Sequence, residues 1–190
     1  DERVRVTEID HLIIFVEPDG EAVRAALAAG LVQTHSRVHA GQGTENACFG
    51  FDSAFIELLW CRDRLEIESE AVARTGLSAR SRWAEASACP FGVCLRTSKP
   101  AFPTWTYDVP FPAGMSVEMS RTSDRADEPL VFAMTPTPAR GVPPDPQPLG
   151  RQITAVELAF QLPDRPSVAL RALAALPAVT LRHAAKPRIK

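Results

Sequence analysis

Residues 9–30 read IDHLIIFVEPDGEAVRAALAAG, and this stretch decides the fold. Its first eight residues are an apolar run with one Asp and one His, which predicts a buried strand. The Pro-Asp-Gly turn follows, and Asp19 can cap an Ala-rich helix that Gly30 ends. Three more strands are predicted in the next thirty or so residues, at 33–41, 47–51 and 54–60. The order is therefore strand, helix, strand, strand, strand.

A weaker echo of this pattern lies near the other end of the chain. Residues 153–176 again give an apolar strand that opens with Ile, a Pro-Asp turn and an Ala/Leu-rich helix, and 179–184 resembles the strand at 33–41. A repeated strand-helix unit predicts two similar modules packed together. The echo stops before its own hairpin. Either the chain is truncated there, or strands from the middle of the chain complete its sheet, namely 91–97, 115–122 and 129–135.

The prolines mark the boundaries between these parts. Fourteen of the 17 prolines lie between 90 and 166, which excludes helix through most of that region. The sequence predicts four parts: a first module at 8–61, a linking helix (Arg64–Thr75) and additional strands at 62–135, a proline-rich connector at 136–150, and the echo at 151–190.

Composition excludes several classes of protein. The chain has 190 residues, 45% of them hydrophobic and 23% charged, with a net charge of -2. These values are typical of a folded globular protein, and they give no electrostatic footprint for nucleic acid or for a membrane surface. The four cysteines show no zinc-site spacing and predict free thiols, so we expect a cytoplasmic protein.

Two strands carry an ionisable group among apolar neighbours. By alternation, His11 shares a face with the apolar residues of the first strand, and Glu57 does so in AFIELLW (54–60). A buried carboxylate needs a partner. The two residues could share a divalent metal such as Zn, Mn, Fe or Ni, or form an ion pair or a general acid–base pair. Alternatively, His11 is a hydrogen-bonded core residue and Glu57 pairs with Arg37 or Arg80.

Other residues are candidates for binding. His39 precedes a glycine-rich loop and could be a third ligand or a proton shuttle, or else an exposed residue at a strand end. The aromatic segment 102–111, FPTWTYDVPF, could close over an apolar ligand or simply seal the edge of the core. Arg80 could orient an anionic group. The predicted substrate-binding residues are Arg80, Trp60, Trp105 and Tyr107.

The first module resembles the glyoxalase-like domains of the vicinal oxygen chelate superfamily. The residues that carry the resemblance are IDHLIIFV with His11, HAGQGTENACFGF (39–51), AFIELLW with Glu57, and RSRWAEASACPFG from Arg80 onward. The resemblance implies an α+β fold of paired βαβββ modules, whose mixed or antiparallel sheets curl into an open cup. It covers about residues 8–100 well and the remainder only loosely.

The resemblance also implies a function. Members are lyases, isomerases or dioxygenases that commonly use one divalent metal to chelate two substrate oxygens, while others have no metal and only sequester antibiotic-like or aromatic compounds. His11 and Glu57 match the first module's ligand positions. The second module departs from the pattern, because the position that matches His11 is Ala155 or Gly92. We expect a small-molecule ligand, no nucleic acid, no membrane, and a homodimer as in other members.

Overall fold

The computed structural model describes residues 7–134 and 149–190, so most of the connector predicted at 136–150 lies outside the described residues. The first module has the predicted order of elements. Gly20 rather than the predicted Asp19 is the N-cap of its helix, and Asp19, one residue earlier, accepts a hydrogen bond of 2.8 Å from the Glu21 backbone N–H through its Oδ1. Its elements are β1 (Glu8–Phe15), α1 (Glu21–Ala28), β2 (Gln33–His39), β3 (Thr44–Gly50) and β4 (Phe55–Cys61).

The segment after β4 forms short helices. The single helix predicted over Arg64–Thr75 is wrong, because it is broken at Ser69 into two helices of one turn each. Asp63 caps the first of these and accepts from the Leu65 and Glu66 backbone N–H groups. Gly76, with a φ of 72° in the left-handed region, separates the second from the next helix and is the N-cap of that helix. The helices are α2 (Arg64–Ile67), α3 (Glu70–Ala73), α4 (Leu77–Ser81) and α5 (Trp83–Ala86).

The next four strands extend the first module's sheet. The order across the eight strands is β2-β3-β4-β1-β5-β8-β7-β6. β1 pairs parallel with β4 and antiparallel with β5, and β5 in turn pairs parallel with β8. The second half therefore mirrors the first, although residues 97–103 form a loop where the first half has α1. These strands are β5 (Phe91–Arg96), β6 (Thr104–Val109), β7 (Met115–Ser120) and β8 (Leu130–Met134).

The C-terminal echo forms a sheet of its own. β10 pairs parallel with β9, whereas in the first module β2 lies three strands away from β1. The two segments therefore share the strand-helix pattern but not the pairing, and the middle strands join the sheet of the first module. The elements of this C-terminal unit are β9 (Val156–Phe160), α6 (Val168–Ala174), β10 (Val179–His183) and β11 (Arg188–Ile189).

The C-terminal unit covers the outer face of the large sheet. Leu158 of β9 and Leu173 of α6 are completely buried against Leu12, Val93 and Leu95 of β1 and β5. α1 covers the neighbouring part of the same face, over β3 and β4. The C-terminal unit thus takes the place of the helix that the second half lacks.

The inner face of the sheet is left for a ligand. The eight strands curl into a half-barrel that opens on this side, which confirms the predicted α+β architecture with an open cup. Strand alternation directs His11, Ile13 and Phe15 of β1 inward, while Leu12 points to the outer core. Across the described residues, no helix has the length and apolar run needed to cross a bilayer.

Candidate functional site

A cavity of about 280 Å³ lies on the inner face of the half-barrel. Its two walls differ in chemistry, because the first half of the sheet supplies the polar side chains and the second half supplies mainly apolar ones. The polar wall is made of Asp10, His11, His35, Arg37, His39, Gln42, Asn46 and Glu57. The apolar wall includes Met115, Val117, Met119, Leu130, Phe132 and Met134.

His11 and Glu57 meet at the polar wall. The Nε2 atom of His11 lies 3.5 Å from Oε2 of Glu57, and the two residues are only 6% and 8% exposed. The register explains the meeting, since His11 pairs with Phe55 on the adjacent parallel strand, two residues before Glu57. The imidazole also stacks on the Phe55 ring, with centroids 4.4 Å apart. Both side chains therefore lie on the inner face of the sheet, as alternation in the sequence predicts.

Asp10 holds the other side of the imidazole. Its Oδ1 lies 2.8 Å from His11 Nδ1, and its Oδ2 accepts hydrogen bonds from Nε and Nη2 of Arg96 at 3.1 and 2.8 Å. Burial raises the pKa of Asp10, but the hydrogen bonds and charges of His11 and Arg96 outweigh burial and lower this pKa below its ordinary value. Asp10 is therefore an anion that fixes the ring with Nε2 facing Glu57.

Asn46 holds Glu57 in the same way. Its Nδ2 donates to Glu57 Oε1 at 2.6 Å, while its Oδ1 accepts from the Arg37 backbone N–H at 2.8 Å. Because the backbone fixes the amide oxygen, the amide nitrogen is directed at the carboxylate. The His11–Glu57 pair is thus held from one end by the half-buried Asp10 and from the other by the buried Asn46.

A second hydrogen-bond chain joins the two halves of the sheet. Nδ1 of His39 lies 2.8 Å from Oγ1 of Thr44, which also accepts from Gln42 Nε2 at 2.8 Å. Tyr107, on β6, donates its hydroxyl to Gln42 Oε1 at 3.2 Å. Burial lowers the pKa of His39, an effect that Glu57 opposes and that Arg37 and His35 add to. Burial likewise raises the pKa of Tyr107 to about 12, so the phenol stays protonated.

Three predicted site residues are placed elsewhere. The guanidinium of Arg80 is completely buried and donates to the carbonyl oxygens of Ser123, Arg125 and Glu128, so it cannot orient an anionic ligand in this cavity. Burial lowers its pKa to about 10. Trp60 packs on the outer face, as alternation from Glu57 requires.

Trp105 lies on the inner side but not at the cavity. Its Nε1 donates to the Ser120 carbonyl and to Ser123 Oγ, both at 3.1 Å, and the guanidinium of Arg74 stacks 4.4 Å above the ring. Of the aromatic residues predicted to bind substrate, Tyr107 is the one that lines the cavity. The segment 102–111 thus forms the edge strand β6 and part of the cavity wall, with Val109 and Phe111 beside Tyr107.

Asp10 and Gln42 are site residues that the sequence did not reveal. Alternation would direct Asp10 away from His11, but the pairing of β1 with β5 shifts register between Ile9 and His11 and brings the two side chains together. Gln42 sits in the turn after β2, where no periodic signal applies. Asn46, by contrast, follows the alternation of β3 together with Cys48.

The residues do not fit the full metal site that the resemblance implies. The described chain does contain one group of potential ligands, Asp10, His11 and Cys94, whose donor atoms lie within 4.8 Å of one another. However, Asp10 is already bound to Arg96, and burial raises the pKa of the Cys94 thiol well above its ordinary value. Neither group is a free anionic ligand for a cation.

The second half of the sheet also lacks the matching donors. In the first half, Glu57 pairs with Ile13, two residues after His11. In the second half, Phe132 pairs with Cys94, two residues after Gly92. Gly92 and Phe132 therefore stand at the positions that correspond to His11 and Glu57. The first half thus supplies two potential metal ligands, His11 and Glu57, whereas Gly92 and Phe132 at the matching positions have no side-chain atom that can bind a metal.

The comparisons with known proteins agree with this fold. A family model described as a glyoxalase-like domain matches residues 9–167. The chain belongs to this family. No curated protein matches it significantly. The family assignment places the chain in the superfamily whose members bind small molecules in a cup of paired modules and often hold a divalent metal.

Three solved structures resemble this glyoxalase-like chain at low sequence identity. Methylmalonyl-CoA epimerase from Mycobacterium tuberculosis is 16% identical, with a TM-score of 0.46 over 68% of this chain and 88% of its own. A hypothetical protein from Bacillus halodurans C-125 is 14% identical, with a TM-score of 0.48 over 73% and 100% of the two chains. A hypothetical protein from Staphylococcus aureus is 15% identical, with a TM-score of 0.41 over 67% and 59%.

Proposed function

We propose that this glyoxalase-like chain binds a small oxygen-bearing organic molecule in its cavity and that His11 and Glu57 transfer a proton on it. The observation that carries the proposal is the 3.5 Å approach of His11 Nε2 to Glu57 Oε2 on the wall of a cavity of about 280 Å³. Asp10 and Asn46 hold the outer atoms of the pair, which leaves the inner atoms for a ligand. Isomerase and lyase steps are the reactions this pair suits.

The chemistry follows from the donors and acceptors. A carboxylate and an imidazole side by side can remove a proton from a carbon next to a carbonyl group and return one, which is general acid–base catalysis worth about 10²–10⁴ in rate. Desolvation by the apolar wall strengthens these interactions. His39 contacts Asn46 rather than Glu57 itself, since its Nε2 lies 3.4 Å from Asn46 Nδ2. Its proposed role is therefore to support Glu57 through Asn46 and not to bind the ligand directly.

A second candidate function is sequestration without turnover. All three methionines of the chain, Met115, Met119 and Met134, line the apolar wall. Methionine side chains adapt to ligands of different shape, which is typical of surfaces that accept several apolar compounds. This candidate predicts binding without reaction.

Deuterium exchange tests the two candidates directly. The protein is incubated in D₂O with a panel of small ketones and hydroxyketones, and loss of the C–H signal next to the carbonyl is followed by NMR. We expect exchange with the unchanged protein and a loss of about 10²-fold or more with Glu57→Gln. The matched control is Glu45→Gln, since Glu45 pairs with Arg62 at the surface and does not line the cavity.

Each outcome decides between the candidates. Exchange that survives in Glu57→Gln contradicts proton transfer by this pair. Binding of the panel, seen as line broadening, without exchange in any protein would favour sequestration.

Metal content is a separate measurement on the same protein. Elemental analysis of protein purified without chelator or metal resin is compared for the unchanged chain and His11→Ala. Because Gly92 and Phe132 replace the second half's donors, we expect far less than one equivalent of transition metal in both. One equivalent that disappears in His11→Ala would instead assign His11 as a metal ligand, and the same measurement on Glu57→Gln and His39→Gln would test the other two predicted ligands.

A further inference from the structure

The charged side chains on the cavity wall differ in whether they have a partner within the protein. Asp10 is paired with Arg96, and Glu57 is held by Asn46 and His11. Both carboxylates therefore already have partners. Arg37 also lines the cavity, but its guanidinium has neither a carboxylate nor a carbonyl partner among the described residues.

Arg37 lies at the open rim of the polar wall. It is an exposed residue of the edge strand β2, flanked on the same face by His35 and His39. Burial lowers the pKa of both His35 and His39, and the charge of Arg37 adds to this effect while Glu57 opposes it without reversing it. Both imidazoles are consequently neutral near pH 7, and the guanidinium is the fixed positive charge of this rim.

The register gives the distance from this charge to the reactive pair. Arg37 pairs with Asn46 on β3, and Glu57 pairs with Cys48, two residues further along β3 and one strand beyond it. With strands about 4.8 Å apart and two residues spanning about 6.8 Å, the backbones of Arg37 and Glu57 are roughly 12 Å apart. The guanidinium and the His11–Glu57 pair can thus contact different ends of one small molecule.

We propose that the ligand is a small carboxylate with an apolar body, and that Arg37 binds the carboxylate at the rim. This inference rests on the proposed function of the cavity and names the class of its ligand. The guanidinium offers two parallel N–H donors that match a carboxylate. The apolar body packs against Met115, Met119 and Phe132, and the oxygen-bearing carbon reaches His11 and Glu57.

Paired acids and amides test the inference. Benzoate, 4-phenylbutanoate and octanoate are each compared with the corresponding amide by calorimetric titration. Acid and amide have nearly the same shape, so a difference in affinity reports the negative charge. With the unchanged protein we expect at least one acid to bind about tenfold or more tightly than its amide.

Variants assign the difference to Arg37. We expect Arg37→Gln to remove the preference for the acid while leaving the affinity of the amide within about twofold. The matched control is Arg24→Gln, because Arg24 lies on α1, contacts a backbone carbonyl and does not line the cavity. Arg24→Gln should keep the full preference.

The results separate this inference from the proposed function. Equal affinities of acid and amide, or a preference that survives in Arg37→Gln, would overturn the carboxylate assignment even if deuterium exchange still depends on Glu57. Absence of binding by all six probes at millimolar concentrations would overturn the assignment together with the apolar binding site on which the proposed function rests.

Discussion

At the scale of single residues, the arrangement around His11 depends on Asp10. One carboxylate contacts the imidazole with one oxygen and Arg96 with the other, so it orients the ring and neutralises a guanidinium at once. Removing its charge leaves Arg96 without its main partner and leaves the ring without its anchor. Glu8, the other acid near Arg96, is 3.4 Å away and more exposed.

We expect Asp10→Asn to lower the free energy of unfolding by about 1–3 kcal/mol, because charge-assisted hydrogen bonds in a half-buried setting are lost. Urea unfolding at pH 7 measures the change. Asp108→Asn is the control, since Asp108 is exposed and, within the described part of the chain, accepts a hydrogen bond only from Ser116. It should change stability by less than about 0.5 kcal/mol. Equal losses in the two variants would contradict the special role of Asp10.

The lowered pKa of Asp10 predicts how the stability of the protein depends on pH at the acidic end. The pKa of Asp10 is lower in the folded chain than in the unfolded chain, where it is about 3.9. Its contribution is therefore complete above pH 4 and disappears as the pH falls through the folded value. We expect the stability difference between the unchanged protein and Asp10→Asn to shrink as the pH is lowered below 4, which urea unfolding at several pH values measures.

His39 predicts that stability also depends on pH in a second, higher pH range. Burial lowers its folded pKa below the unfolded value of about 6.5, so the unfolded chain takes up the proton first as the pH falls. Stability is therefore lost as the pH drops below about 6.5. We expect His39→Gln to lose less stability than the unchanged protein between pH 7.5 and 5.5. An NMR titration that places the pKa of His39 above the unfolded value would contradict this.

At the scale of elements, the turn between β2 and β3 holds the polar wall against α2. The carboxylate of Glu66 accepts from the backbone N–H groups of Gly41 and Gly43 at 2.7 and 3.1 Å. Gly43 has a φ of +76°, and a Cβ there would overlap the Asp63 carbonyl oxygen and the Ile67 nitrogen. Only glycine allows both the backbone conformation and the close approach.

We expect Gly43→Ala to lower the free energy of unfolding by about 2 kcal/mol or more, because strain and backbone overlap add. The control is Gly114→Ala, where φ is +84° and no atom lies within 4 Å of the added Cβ. That variant carries the conformational cost alone, about 1 kcal/mol. Chemical unfolding compares the two, and equal losses would show that the turn does not depend on its packing against α2.

The strands show what local sequence can predict. Apolar runs and alternation predicted β1, β3, β4 and β5 and placed His11 and Glu57 on one face, since a buried face imposes the period. The prolines correctly excluded helix from the described residues between 90 and 134. The broken helix after β4 was not predicted, because its boundaries depend on caps and on packing under the sheet. Asp10 escaped prediction because an irregular register overrides alternation.

At the scale of the whole molecule, the C-terminal unit completes the core. Fold class and the cup could be predicted from the resemblance, but the position of this unit could not, because nothing local specifies which face of a sheet a segment covers. The residues that bury it are spread over β1, β5, β9 and α6. The two segments are similar in sequence pattern, but long-range packing places them in different sheets.

Leu173 tests that packing. It is completely buried in α6, and we expect Leu173→Ala to lower the free energy of unfolding by about 3 kcal/mol through lost burial and a cavity. The control on the same helix is Val168→Ala, since Val168 is 44% exposed and should cost less than about 1 kcal/mol. Chemical unfolding measures both, and a neutral Leu173→Ala would contradict the docking of α6 on the sheet.

The two unlike walls of the cavity have a consequence for how such a protein diversifies. The polar side chains of the cavity lie on strands of one half of the sheet. The apolar surface, whose shape a ligand must match, lies on β7 and β8 of the other half. Substitutions in distant, independent sites act additively. Mutations at Met115, Met119 or Met134 can therefore reshape the apolar wall without altering the His11–Glu57 pair. Under the proposed function, a lineage built in this way can acquire new ligands one side chain at a time and keep the same acid–base pair.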